Sequence, residues 1–255
     1  MKIVDRKYEN LLAVAKEYRN EYKNAKPFPS IVFKDFFDPE TLDVVLSEFP
    51  DLATGKASVF DKPNAQKLAG KGAKRFGKTT KKFMKYLNSD EFLQFLQVLT
   101  GIEEKILPDN SYKGGGLHEI KRGGLLKIHV DFNKHSRTNL DRRINVLIYL
   151  NKNWEEEYGG HLELWNSTME ACENKILPVF NTMVIFSTTD YSYHGHPNPL
   201  NCPDNMSRKS LALYYYSDGR PQEELDLTLE RHGTVFKARR NNDDDKLTIL
   251  DAPTD

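Results

Sequence analysis

The chain has 255 residues, which at about 150 residues per domain predicts one large domain or two small ones. It carries 37 basic and 37 acidic side chains, so it lacks the positive excess expected of a general nucleic-acid binder. A hydrophobic content of 38% with 11% aromatics supports a packed core, and no apolar run approaches the about 20 residues that a membrane-spanning helix needs.

The first twenty residues, MKIVDRKYENLLAVAKEYRN, carry charges throughout and read as an amphipathic helix rather than a signal peptide. Residues 30–36 look like a short strand. Asp38 then suits an N-cap and Pro39 a first helical position, with Leu42, Val45, Leu46 and Phe49 forming an apolar stripe. Residues 51–88 are weaker in pattern. From Lys71 to Lys85 there are seven basic residues and no acidic one, which predicts a solvated face, with a surface for an anionic partner as the alternative. The next segment, SDEFLQFLQVLTG, predicts a helix capped by Ser89 or Asp90, with Phe92, Phe95, Leu96 and Leu99 on one face and Gly101 ending it.

After Pro108 the pattern changes to short runs of strand composition at residues 125–131, 144–150, 161–165, 183–187 and 210–216. No long helix separates them, so an antiparallel sandwich, barrel or jelly roll is expected rather than a parallel sheet with crossover helices. A further strand is expected near residues 234–238, followed by the acidic run Asp243, Asp244 and Asp245. The cysteines, Cys172 and Cys202, are only two in number and form no Cys-x-x-Cys pair. Ordinary thiols in a reducing cytoplasm are expected, not a disulfide framework or a thiolate zinc site.

Seven histidines form the search list for chemistry: His118, His129, His135, His161, His194, His196 and His232. In LLKIHVDFN, His129 and Asp131 stand two apart in a strand pattern and so share a face, which places an imidazole beside a carboxylate. The segment FSTTDYSYHGHPNPL brings His194 and His196, and SRKSLALYYYS brings Arg208 at the head of a strand. The spacings are 63 residues from Asp131 to His194 and 14 from His194 to Arg208. A His-x-Asp pair, a distant histidine and a following cation are the parts of a 2-His-1-carboxylate site, which leaves one side of an Fe(II) ion open to a 2-oxo acid and O₂. The planar fork of Arg208 suits the far carboxylate of such a co-substrate. Several assignments stay open at this point. His196 shares the face of His194 and could be the distal ligand, and Lys209 competes with Arg208, although alternation sends the two to opposite faces. Lys127 shares the face of His129 and Asp131, where substrate contact and a carboxylate pair are equal readings. His135 reads as a loop or rim residue. His161, Glu163 and Trp165 alternate with Leu162 and Leu164, and either set could line a pocket. His118 and His232 have no evident partner.

Taken together, HVD (129–131), RRINVLIYLN (142–151), GGHLELW (159–165), the Pro178, Asn181 and 183–186 segment, HGHP (194–197) and RKSLALYYYS (208–217) resemble the 2-oxoglutarate- and Fe(II)-dependent dioxygenases, in particular their prolyl-4-hydroxylase-like branch. PFPSIVFKDFF resembles the lead-in of such proteins. The resemblance implies a mainly β fold with flanking α: a double-stranded β-helix (jelly roll) at residues 106–221, an N-terminal helical support at 1–105 packed on it and an extension at 222–255, all in one structural domain. It implies that His129, Asp131 and His194 bind Fe(II), that Arg208 holds the distal carboxylate of 2-oxoglutarate and that Tyr149 hydrogen-bonds the same carboxylate. O₂ is then the second co-substrate and ascorbate a candidate reductant. The carboxylate of Asp131 implies hydroxylation, because halogenating relatives carry a small residue there.

The implied reaction is hydroxylation of an unactivated C–H bond with release of succinate and CO₂. The branch suggests a prolyl residue of a peptide or protein, and the alternative is a free amino acid or other small, anionic metabolite. Membrane and nucleic-acid partners are not expected. A cupin-type metal enzyme without a co-substrate and a non-catalytic cupin-like binding module are the readings of other classes. Arg208 and Tyr149 speak against the first, and the intact His129, Asp131 and His194 set against the second.

Overall fold

A computed structural model of the chain describes residues 1–54, 57–70, 72–226 and 230–239. In chain order its elements are α1 (Leu11–Asn24), β1 (Ser30–Lys34), α2 (Pro39–Ser47), β2 (Ala57–Lys62), β3 (Ala65–Gly70), α3 (Lys78–Leu87), α4 (Asp90–Thr100), β4 (Leu107–Pro108), β5 (Gly116–Lys121), β6 (Leu126–Val130), β7 (Asp141–Tyr149), β8 (Leu162–Trp165), β9 (Cys172–Ile176), β10 (Thr182–Ser187), β11 (Tyr193–His196), β12 (Ser207–Ser217) and β13 (Val235–Phe236). The strands named as neighbours pair antiparallel in the order β1-β10-β7-β12-β5-β3-β6-β11-β8-β9. Two four-stranded faces, β5-β12-β7-β10 and β6-β11-β8-β9, thus make the expected jelly roll. β3 joins them along one side by pairing with both β5 and β6.

Alternation along β7 decides what each side of the larger face meets. Ile144, Val146 and Ile148 pack outward with Leu211 and Leu213 of β12 against Phe33, Phe83, Phe92 and Phe95. The helices therefore sit on the outer face and share one core with it, as expected. Tyr149, Val184 and Phe186 point the other way and meet Leu162, Leu164 and Ile176 across the interior. Asn181 fastens the N-terminal lead-in to this frame: its side-chain amide accepts from the Phe37 N–H (3.1 Å) and donates to the Phe37 carbonyl (2.8 Å).

The helix ends follow the local chemistry of the sequence. Asp38 caps α2 through the Thr41 N–H with Pro39 at its first turn, Ser89 caps α4, and Gly101 ends α4 in the left-handed region at φ 70°. The N-terminal helix starts only at Leu11, where Asn10 caps it through the Ala13 N–H, and Arg6–Tyr8 form a separate 3-10 turn before it. The hairpin β2–β3 was not legible in its Gly- and Lys-rich sequence. Strands β5, β9 and β11 were missed as well: each is short, and their polar or glycine residues break the apolar alternation. The expected strand near 234–238 is β13, and Asp243 to Asp245 lie outside the described residues, as does Lys71. The rest of the basic stretch is a solvated face: Lys78, Lys81, Lys82 and Lys85 are exposed on α3, whose Phe83, Met84 and Leu87 face the core away from the barrel interior. Cys172 and Cys202 are both free thiols.

Helix α3 has no side-chain cap of its own, and Glu48 supplies one from the end of α2. Its carboxylate accepts from the Thr79 N–H (2.9 Å), the Thr80 N–H (2.7 Å) and the Thr80 hydroxyl (2.7 Å). A Cβ at position 77 would lie 2.3 Å from Glu48 Oε2, so Gly77 makes room for the cap. Burial pushes the Glu48 carboxyl up, but the bonds from Thr80 and Thr79 outweigh it and hold the group below its ordinary range. A depressed carboxyl stabilises the fold above its unfolded pKa and loses that contribution as the pH falls through its folded pKa. In urea unfolding at neutral pH, Glu48→Ala is expected to cost about 1 kcal/mol. The smaller cost of Glu48→Gln should vanish on acidification through the carboxylate range.

Candidate active site

The pairing of β6 with β11 sets His194 opposite His129. Both imidazoles point inward, with ring centroids 4.5 Å apart, and both are buried. Each Nδ1 sits 2.8 Å from a backbone carbonyl, that of Lys127 for His129 and of Ser192 for His194. A carbonyl only accepts, so each Nδ1 carries the proton and each Nε2 presents a lone pair. These lone pairs converge on Asp131, one residue beyond the end of β6. His129 Nε2 lies 3.7 Å from Asp131 Oδ1, and His194 Nε2 lies 3.3 Å from Asp131 Oδ2. One ligand atom from each residue falls within 4.8 Å of the others, close enough for all three to share one metal ion. Two neutral imidazoles and one carboxylate are a donor set suited to Fe(II). Burial, reinforced by His194, pushes the His129 pKa down and keeps that ring neutral at ordinary pH.

Asp131 needs support of its own, because burial would push its carboxyl up. The Arg142 guanidinium, His194 and His129 together outweigh that push and hold the group well below the usual carboxylate range. Arg142 Nη2 donates to Asp131 Oδ2 at 2.9 Å, and the Asn145 amide donates to the same oxygen at 2.7 Å. Asn145 Oδ1 in turn accepts from Arg142 Nε (3.0 Å) and Nη2 (2.7 Å). The guanidinium is clamped between aromatic faces, 3.4 Å above the Tyr214 ring and 4.4 Å above that of Phe132. Arg142 and Asn145 went unassigned from sequence. The signal was present, since both interrupt a strand of apolar residues, where a buried polar side chain needs a partner.

Deeper in the barrel, Arg208 is buried and fixed from two sides. Its Nε donates to the Gly160 carbonyl (2.8 Å), and its Nη2 donates to the Tyr149 hydroxyl (3.1 Å). Gly160 is at φ 73°, and a Cβ there would lie 3.0 Å from Arg208 Cδ, so glycine serves both the turn and the approach. Burial pushes the Tyr149 pKa up against the opposing pull of Arg208, and the residue stays a phenol able to donate. Lys209 faces outward, 3.8 Å from Glu119, as alternation predicts.

The other candidates separate clearly. His196 points inward on β11 but stands apart from the three clustered ligands. His135 belongs to the loop after β6, where its Nδ1 caps the Thr138 N–H (3.2 Å) and its ring meets Tyr216 edge-on. His161 pairs with Glu156 at 2.9 Å on the outside. Glu163 binds the Trp165 indole (2.9 Å) and Lys175 (3.2 Å), so Leu162 and Leu164 are the interior face. His232 finds Asp190 at 2.8 Å. His118 lies inside on β5, opposite Ser210, and burial together with Lys67, Arg208 and Arg142 pushes its pKa down to about 3. The carbonyl of Lys127 fixes His129, as above. The missed hairpin contributes Lys67, which shares the inward face of β3 with Ala69, the partner of His118. Its ammonium lies 5.1 Å above the Phe60 ring, and burial pushes its pKa down to about 8 despite Asp131, with Arg142 and Arg208 adding to the fall.

Residues 115–216, which hold the three clustered ligands, Tyr149 and Arg208, match the family model of the 2OG-Fe(II) oxygenase superfamily. That segment belongs to this superfamily. The 2OG-Fe(II) oxygenase fold extends through most of the chain. A prolyl hydroxylase from Trichoplax adhaerens, solved in complex with a hypoxia inducible factor oxygen degradation domain peptide fragment, superposes with a TM-score of 0.60 at 17% identity, over 83% of this chain and 92% of that one. A Pseudomonas putida prolyl-4-hydroxylase gives 0.55 at 13% identity, over 82% and 100%. HygX from Streptomyces hygroscopicus, solved with nickel and 2-oxoglutarate, gives 0.55 at 11%, over 88% and 96%. At these identities the likeness is one of fold. No curated protein matches the chain in sequence. The chain thus carries the fold of the 2-oxoglutarate-dependent dioxygenases, and no helix among the described residues is long and apolar enough to cross a membrane.

The support around Asp131 is open to direct measurement. Groups that orient a metal ligand typically contribute 10- to 100-fold in metal affinity. Asn145→Ala and Arg142→Lys should each weaken Mn(II) binding by about that factor in anaerobic calorimetry. His161→Ala, on the outside, should leave it unchanged.

Proposed function

We propose that the protein is an Fe(II)- and 2-oxoglutarate-dependent hydroxylase acting on a prolyl residue of a peptide or protein. In this reading His129, Asp131 and His194 hold the iron, and Arg208 with the Tyr149 hydroxyl holds the distal carboxylate of 2-oxoglutarate. When bound, the metal and co-substrate supply the oxidising equivalents that insert one oxygen atom of O₂ into an unactivated C–H bond, with succinate and CO₂ released. Ascorbate is the candidate accessory reductant, and a reducing cytoplasm suits two free thiols.

The observation that carries the proposal is one interior that offers a three-ligand metal cluster and, separately, a buried arginine with a tyrosine hydroxyl. The first fits a divalent ion and the second a carboxylate, which are the two ends of a metal-bound 2-oxo diacid. Leu164, Val184 and Phe186 form an apolar cluster with Tyr149 in the same interior. The prolyl assignment is supported by the fold likeness to prolyl hydroxylases.

A second reading, a free amino acid or other small anionic metabolite, is favoured by Lys67. Among the described residues no carboxylate lies within ion-pair distance of its ammonium, and Arg142 and Arg208 add to the positive field around it. Such a field raises the local concentration of anions.

In an anaerobic titration, Fe(II) and 2-oxoglutarate together should produce a metal-to-ligand charge-transfer band. In air, succinate should form in step with a +16 Da product. Proline-containing peptides should give that product under the first reading, and acidic metabolites under the second. Arg208→Ala should weaken 2-oxoglutarate binding at least about tenfold, the worth of a lost charge-assisted hydrogen bond. A protein that gives neither band nor succinate is not a 2-oxoglutarate oxygenase.

A further inference from the structure

His196 is the one inward histidine on β11 that the metal cluster leaves over. Its ring is 3% exposed, and neither Nδ1 nor Nε2 has a hydrogen-bond partner among the described residues. A neutral imidazole always carries one N–H donor and one lone pair, and leaving these unmet in the interior costs free energy. Its orientation is built in. A Cβ at Gly195 would lie 2.7 Å from the carbonyls of Leu126 and Lys127, so the glycine lets β11 lie directly against β6. His194 and His196, two residues apart on β11, are both buried. Of the charged groups around His196, Arg208 acts on it most strongly, ahead of Lys67 and His129. Two residues along β11 from His194, the ring is buried in the same interior as the metal cluster and Arg208.

We propose that His196 is a further binding residue for 2-oxoglutarate, donating a ring N–H to the co-substrate carboxylate held by Arg208. This rests on the reading of the site as a 2-oxoglutarate pocket and adds a third donor to Arg208 and Tyr149. A diacid reaching from the metal cluster to Arg208 would meet here a buried ring whose two nitrogens have no partner among the described residues. The unmet nitrogens are then a feature of the ligand-free protein that the co-substrate removes.

The proposal separates binding from stability. His196→Leu removes a buried polar group and is expected to leave the ligand-free protein as stable as the wild type or more so. The same change should weaken 2-oxoglutarate about tenfold, the worth of a hydrogen bond to a charged group. Anaerobic titration of the charge-transfer band gives the second quantity, and thermal unfolding with Mn(II), with and without 2-oxoglutarate, gives both. The rise in Tm caused by 2-oxoglutarate should shrink in His196→Leu and largely return in His196→Asn, which keeps an N–H donor. Mn(II) affinity should not change in either variant. The inference is overturned if His196→Leu binds 2-oxoglutarate as the wild type does, or if it loses Mn(II), which would make the ring a metal ligand. Should His196→Leu fail to fold, His196→Asn and His196→Phe compared with each other decide the point: equal affinities would sink the proposal. Absence of the band in the wild type would instead refute the pocket assignment itself.

Discussion

A carboxylate buried between two imidazoles keeps its charge only if a cation stands beside it, and in this fold that cation is Arg142. The pair Arg142–Asp131, closed by Asn145, is the interaction on which the metal cluster depends. Burying either charge alone would cost several kcal/mol, so each is admitted to the interior by the other. The arrangement also settles geometry. Asp131 Oδ2 is occupied by Arg142 and Asn145, which leaves Oδ1 as the carboxylate oxygen free of such donors. The backbone carbonyls that take the Nδ1 protons do the same for the imidazoles. Every one of the three clustered side chains is held by something that is not a metal ion, so the site is built before any ligand arrives.

The aromatic residues explain how so polar a group is tolerated. Tyr214 and Phe132 both turn a ring face to the Arg142 guanidinium, where the ring faces are negative and the cation needs little water. Tyr214 belongs to β12, the strand that also carries Arg208 six residues earlier. One strand therefore anchors both the support of the metal ligand and the co-substrate clamp. A shift of β12 by one residue would remove both at once, because alternate positions face opposite sides.

Much of this was legible in the sequence, and the reasons differ by element. His129 and Asp131 could be placed because two-residue spacing in an apolar strand fixes a common face. Arg208 could be separated from Lys209 by the same alternation. The caps at Asp38 and Ser89 and the stop at Gly101 were written in local chemistry. What escaped was non-local. Lys67 sits on a hairpin whose sequence lacks apolar alternation and whose position is set by β5 and β6. Spacing alone could not tell His194 from His196, since both lie on the inward side; the family motif favoured His194, the residue that pairs opposite His129. Arg142 and Asn145 were visible as misplaced polar residues, but their partner lies on another strand. Glu48 capping a helix 30 residues on could not be foreseen from periodicity at all.

The short strand β13 pairs with the outer half of β6, setting Phe236 against His129 with ring centroids 5.5 Å apart, and the Lys237 N–H donates to the Ile128 carbonyl (2.9 Å). The strand that carries the first metal ligand is thus completed by residues more than a hundred positions later in the chain. During synthesis, β6 spends a long interval with an open edge, and loop closure of this length is slow. The partner that completes this strand is accordingly made after all three clustered side chains and after Arg208.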